Sequence, residues 1–220
     1  MDKKIIIANW KSHKNIKDAQ DFIVNISQNI NKINLDNKEI VIAPSFQLLH
    51  AIKSLIEKYN LPIELSSQNV SAFGEGAFTG EVNALQIKDL AKYVIIGHSE
   101  RRTLLNETDE VLSKKVIEAK KSKLKIIYCI QNSSQKIPSG VEIVAYEPPM
   151  AIGSGSPDEP THIESVFNEV RSRYDGKILY GGSVDEQNVR NFIYINHCAG
   201  LLVGGASLEP ESFMSLISQW

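Results

Sequence analysis

An α/β barrel of eight strand–helix units, the (β/α)8 architecture, is predicted by three observations. Short runs rich in Ile and Val recur eight times along the chain. Each is continuously apolar rather than alternating, which marks strands covered on both faces, as in parallel sheets. Segments with helical spacing lie between most of the runs. No shift in composition divides the 220 residues into halves, so one closed domain over residues 1–220 suits the pattern better than an open sheet.

The first run is IIIANW (5–10), followed by helical spacing from Ile16 to Ile33. EIVIAP (39–44) leads into Phe46 to Tyr59. After IELSSQ (63–68) comes a long segment rich in Gly and Ser, 68–80, and then helical spacing from Ala84 to Ala91; long structured loops are uncommon and often functional. YVIIGH (93–98) precedes Asp109 to Lys121. KIIYCI (125–130) is followed by only ten residues, QNSSQKIPSG, before Val141. A parallel crossover needs about a dozen residues, and Pro138 and Gly140 oppose a long helix, so the fifth helix is expected to shrink to a turn or two. This accounts for a length below the ~250 residues usual for such barrels. EIVAYEP (142–148), KILYGG (177–182) and GLLVGG (200–205) complete the strands, with helical segments at Ile163 to Tyr174, Asp185 to Ile193 and Pro210 to Ile217.

The 24 basic and 26 acidic residues, net charge -2 and pI near 6.2, are mixed along the chain, so no long-range field favours nucleic acid or an anionic membrane. Any anion must be bound locally. MDKKIIIANW has too short an apolar stretch for a signal-peptide core, and no run approaches a membrane span, so a cytoplasmic protein is expected. Cys129 and Cys198 lack metal-ligand spacing and sit in apolar surroundings, which favours reduced, buried, structural thiols.

In a barrel of this kind the site forms at the C-terminal ends of the strands. The apolar runs end in a non-random set: Asn9 and Lys11 after the first, His98 after the fourth, Glu147 after the sixth, and the pairs Gly181-Gly182 and Gly204-Gly205 after the last two. Each has a bland reading taken singly: a solvated lysine, a satisfied core histidine, a surface carboxylate, a tight turn. Their joint occurrence at strand ends is what the bland readings do not explain. Glycine pairs after the seventh and eighth strands suit a phosphate site built from backbone N–H groups, with Ser183 adding a hydroxyl. A glutamate beside an imidazole suits proton abstraction next to a carbonyl. Remaining histidines His13, His50, His162 and His197 occur singly and carry no functional assignment, and Trp10 suits packing.

The blocks ANWK (8–11), QNVS (68–71), GAFTGE (76–81), IIGHSERR (95–102), AYEPPMAIGSG (145–155), LYGGSV (179–184) and LVGGASL (202–208) resemble, in order and over nearly the whole chain, the signature blocks of the triosephosphate isomerase family. The resemblance implies a TIM barrel that interconverts glyceraldehyde 3-phosphate and dihydroxyacetone phosphate, in glycolysis and gluconeogenesis. It implies Glu147 as the base and His98 as the electrophile that polarises the carbonyl. Lys11 supplies a fixed positive charge, Asn9 binds a substrate oxygen, and Glu100 is a buried partner of the lysine. Backbone N–H groups of Gly153, Ser183, Gly204 and Gly205 hold the phosphate, and the segment from Pro148 to about Pro157 closes as a lid. No metal or organic cofactor is implied. If a helix starts at SERR after His98, its positive end disfavours imidazolium.

The resemblance also implies a symmetric homodimer at least, with Thr79 reaching the partner's active site and Phe78 packing beside it. The shortened fifth unit resembles compact family members, many archaeal and some tetrameric, so the assembly is dimer or tetramer. Two positions depart from the common pattern together: Met150 stands where many members carry tryptophan, and Gln131-Asn132 where a glycine and a glutamate commonly follow. A sugar-phosphate binder without turnover and another phosphate-handling barrel enzyme are the competing readings; the first sits poorly with Glu147, His98 and Lys11 all in place, and the second would lack the ordered blocks from ANWK to GHSERR.

Overall fold

The computed structural model describes residues 3–151 and 155–220. Eight parallel strands close a barrel in sequence order: β1 (Lys4–Asn9), β2 (Lys38–Ala43), β3 (Ile63–Ser67), β4 (Tyr93–Ile96), β5 (Lys125–Ile130), β6 (Ile143–Tyr146), β7 (Lys177–Tyr180) and β8 (Cys198–Val203). Closure is made where Ile5 to Ala8 of β1 run beside Gly200 to Val203 of β8. Outside lie α1 (Ile16–Asn29), α2 (Phe46–Lys58), α3 (Ala84–Ile87), α4 (Ser99–Leu104), α5 (Asp109–Lys121), α6 (Pro160–Arg171) and α7 (Pro210–Gln219). Among the described residues no helix is long and apolar enough to cross a membrane.

Local chemistry sets several helix starts. Asn15 and Asp18 form a reciprocal capping box at α1. Thr108 caps α5, which carries Asp109 and Glu110 in its first turn and Lys120 and Lys121 in its last, matching the helix dipole. Proline opens α6 and α7, where a missing N–H costs nothing.

The alternation of side chains along a strand aims the functional residues. Ile5 and Ile7, Ile127 and Cys129, Ile143 and Ala145, Leu179 and Leu202 form one core cluster inside the barrel. Their neighbours Ile6, Ala8, Ile126, Val144, Ile178 and Leu201 belong to the layer beneath the helices. One step further along the inward series come Asn9, Glu147, Gly181 and Gly204. Strand pairing persists just past β6 and β7, with Glu147 N–H donating to Ile130 O at 2.8 Å and Gly181 N–H to Tyr146 O at 2.9 Å. Trp10 takes the outward position instead, fully buried edge-on against Phe22. Both cysteines are free and buried.

Four helical expectations change. Helical spacing at Ala84 to Ala91 yields only the single turn α3. The stretch from Asp185 to Ile193 yields a 3-10 turn, Val189–Phe192. There the Asp185 carboxylate accepts the N–H groups of Gln187 and Asn188, while Asn188 Oδ1 accepts Asp185 N–H, and such local bonds compete with a helix. α6 starts three residues earlier than its periodicity indicated, at Pro160, and ends at Arg171. Reduction of the fifth helix is complete: residues 131–142, all described, form bends and turns with no helical residue. Arg173 ties this connection down by donating to Ser133 O and Gln135 O, and Ser133 donates to Glu169.

Candidate active site

Glu147 is 1% exposed and does not stand free. Oε2 accepts the Ser99 N–H at 2.8 Å, and Oε1 lies 2.9 Å from His98 Nε2. The Cys129 thiol, on the inward series of β5, neighbours the same carboxylate, and burial and then the Glu147 charge push the Cys129 pKa well up. Gly181 makes room for the arrangement, since a Cβ there would sit 3.2 Å from Glu147 Cγ.

His98 caps α4. Its Nδ1 accepts the Glu100 N–H at 3.2 Å, which leaves Nε2 as the protonated nitrogen facing Glu147. Burial is the largest single influence and pushes the imidazole down; the charge and hydrogen bond of Glu147, with Glu100, together outweigh it, so the pKa stands above its ordinary value while Lys11 opposes the rise. The expectation that the following helix disfavours imidazolium does not hold in this arrangement: the facing carboxylates outweigh it, and the N–H held at Nδ1 is the local contact that favours the neutral ring. Replacing Glu147 with Gln removes the largest raising influence and leaves burial and Lys11, both lowering, against Glu100 alone. The expected result is a lower His98 titration midpoint in Glu147→Gln than in the parent, followed by imidazole NMR.

Lys11 sits in the left-handed region, with φ of 50°, which costs a non-glycine residue about 1–2 kcal/mol. The surroundings enforce it. Lys11 N–H donates to Asn9 Oδ1 at 3.1 Å, and Gln68 Nε2 donates to the carbonyls of Lys11 and Ala43 at 2.9 and 2.8 Å. Gly204 leaves the lysine stem its path, because a Cβ there would approach Lys11 Cε to 3.3 Å. Lys11 Nζ pairs with Glu100 Oε1 at 2.5 Å. The expected burial of Glu100 does not hold: its side chain is 38% exposed, because it borders a second hollow of about 260 Å³ rimmed by Leu104 and Leu105.

Asn9, Lys11, His98, Glu147, Ser183, Gly204 and Gly205 all line one cavity of about 270 Å³. Residues from five different strand ends thus share one space. The Ser183 hydroxyl is already committed to Ala151 O, so it is the backbone at Ser183 that remains for an anion. Gly153 lies outside the described residues. Phe78 and Thr79 lie away from the cavity on an exposed loop, where Phe78 stacks on Phe73 with ring centroids 4.3 Å apart.

Sequence reasoning missed Ser99 and Cys129 as partners of the carboxylate and Gln68 as the clamp on Lys11. Gln68 opens the QNVS block. Cys129 falls on the inward series of β5, the one signal that pointed toward the site.

The rim can move a proton between neighbouring atoms of one molecule, which defines an enzyme class, a barrel isomerase. Comparison with known proteins then gives the particular group. A sequence model of the family described as triosephosphate isomerase matches residues 4–220. The chain is 37% identical to the triosephosphate isomerase of Mesomycoplasma hyopneumoniae strain 7448, over 98% of each chain. It is 34% identical to that of Dictyoglomus turgidum over 99% of each, and 31% identical to that of Aquifex aeolicus over 98% of each. The chain belongs to the triosephosphate isomerase family.

Proposed function

We propose that this enzyme interconverts D-glyceraldehyde 3-phosphate and dihydroxyacetone phosphate in glycolysis, with Glu147 as the base and His98 as the electrophile. The observation that carries this reading is the 2.9 Å approach of Glu147 to His98 on the wall of the cavity that Lys11, Ser183, Gly204 and Gly205 also line. The substrate phosphate lies against the backbone of Ser183, Gly204 and Gly205, with Gly153 supplied by the lid. Asn9 and Lys11 hold the substrate oxygens. Glu147 leaves the Ser99 N–H, takes a proton from the carbon beside the carbonyl, and returns it to the neighbouring carbon.

His98 donates its Nε2 proton toward the carbonyl oxygen and moves a proton between the two oxygens. Once Glu147 has turned to the carbon, the influence that raises the His98 pKa weakens, while burial, Lys11 and the N–H at Nδ1 favour the neutral ring. A neutral donor suits an oxyanion that must be protonated and released within each turnover. A coupled assay starting from glyceraldehyde 3-phosphate tests the reading: turnover supports it, and tight phosphate binding without turnover supports a binder instead.

A cytoplasmic homodimer is part of the same proposal. Phe73 and Phe78 are 44% and 41% exposed, and Leu104 and Leu105 are 72% and 59% exposed beside the hollow at Glu100. Apolar surface of this kind suits a partner that inserts the loop carrying Thr79. Gel filtration is expected to give at least a dimer; a stable, fully active monomer overturns this part.

A further inference from the structure

Beside Tyr146 and Pro148, the chain neighbours of Glu147, a cavity of about 460 Å³ is also lined by the β5–β6 connection and the start of α6. Asp158 borders it and is shared among three elements. Its Oδ2 faces His162 Nδ1 at 2.6 Å, one turn along α6, and accepts the Tyr146 hydroxyl at 3.4 Å. Oδ1 accepts the Glu159 N–H at 2.9 Å, and the Asp158 N–H donates to the Tyr180 hydroxyl oxygen at 2.8 Å. Tyr146 directly precedes Glu147, and Tyr180 directly precedes the Gly181-Gly182 turn. Burial and then Asp158 push the Tyr146 pKa up to about 12, so this hydroxyl remains a donor. A Cβ on Gly182 would meet the Tyr180 hydroxyl at 2.6 Å and Ala151 Cβ at 2.9 Å. The glycine turn therefore packs directly on Ala151 near one root of the segment between Glu147 and α6, and on the Tyr180 hydroxyl that holds Asp158 at the other.

We infer that Asp158 is a positioning residue that, through His162 and Tyr146, fastens the far root of this segment to the strand ends bearing the base and the glycine turn. The inference rests on the isomerase reading above and assigns a role to His162 that its isolated place in the sequence did not show. An Asp–His pair at this root joins β6, β7 and α6 at one point, so a displacement of the root reaches Glu147 through Tyr146 and the glycine turn through Tyr180. The consequence is chemical. An enediolate left open to solvent has a competing path: its oxygen electron pair re-forms a carbonyl, the double bond shifts, and the C–O bond to phosphate breaks. Inorganic phosphate then departs with the bonding pair. A well-placed segment suppresses that loss.

The test measures isomerisation and inorganic phosphate release in the parent, Asp158→Ala, Asp158→Asn, His162→Ala and the Asp158→Ala/His162→Ala double variant. Losing a hydrogen-bonded charge of this kind is expected to lower kcat about tenfold in Asp158→Ala, with a smaller change in KM and more phosphate released per isomerisation. Asp158→Asn keeps an acceptor for Tyr146 and is expected to recover most of both. The double variant is expected to be no worse than Asp158→Ala, since the two residues act as one unit. Parent-like kcat and phosphate release in Asp158→Ala overturn the inference alone. So does a fall in activity that only follows the folded fraction, with phosphate release per turnover unchanged. A parent without isomerase activity overturns the functional reading and the inference together.

Discussion

Glu147→Gln is expected to bind triose phosphate almost as the parent does and to lose between about 10² and 10⁴ in kcat, the usual contribution of a positioned base. The amide keeps the size and much of the hydrogen bonding of the carboxylate, including an oxygen that can accept the Ser99 N–H. What it lacks is the ability to take a proton from carbon. Because the side chain is 1% exposed beside His98 and Cys129, the substitution also replaces a buried charge with a neutral group, and the fold is expected to tolerate it. Glu147→Asp gives the sharper geometric test. It retains the chemistry but withdraws the carboxylate by one methylene, and a displacement of about 1 Å costs about 10² in rate. Steady-state kinetics in both directions, with circular dichroism as the folding control, separate these outcomes. A Glu147→Gln enzyme with parent kcat removes the base from the scheme.

Lys11→Met is expected to lower kcat by about 10² to 10³, the cost of removing one group that stabilises developing negative charge, and to raise KM because phosphate loses a cation. Glu100 keeps its exposure and loses its 2.5 Å partner, so the local charge turns against an anionic substrate. Stability gives an independent reading. Methionine inherits the strained φ of 50° and gains nothing, whereas Lys11→Gly relieves it and is expected to recover about 1 kcal/mol of folding stability, measured by thermal or denaturant unfolding. Activity falls in both variants while stability rises only in the glycine one. Equal stability in the two means that the backbone of residue 11 is not held under strain by Asn9 and Gln68.

Strand positions and the polar residues that end them were legible because a barrel strand has little freedom: it must be apolar on both faces, and its period of two continues past its last paired residue. That is why Asn9, Glu147 and Gly204 could be expected on one rim before any coordinates. Helices were less legible. Asp185 and Asn188 sit in a segment with acceptable spacing, yet their short polar side chains bond the adjacent backbone and leave only a 3-10 turn. The partners of Glu147 were less legible still. Cys129 meets it through the β5–β6 register, which sets Cys129 opposite Ala145, and Ser99 meets it through a turn two strands away. Burial of Glu100 was misjudged because a family pattern specifies the ion pair with Lys11 but not how much water reaches it. The Asp158–His162 pair had no motif at all, only a separation of four residues on a helix that begins between them.

The missing fifth helix bears on how the chain assembles. With β5 ending at Ile130 and β6 starting at Ile143, twelve residues close that crossover, and each halving of a loop's length lowers the entropy of closing it by about 0.6 kcal/mol. Neighbouring parallel strands normally meet only after a whole helix has been ordered, which makes them late and slow. Here β5 and β6 can find each other early, with Arg173 and Glu169 arriving afterwards to pin the link. The strand that delivers the base is thus placed to join the growing sheet among its first members.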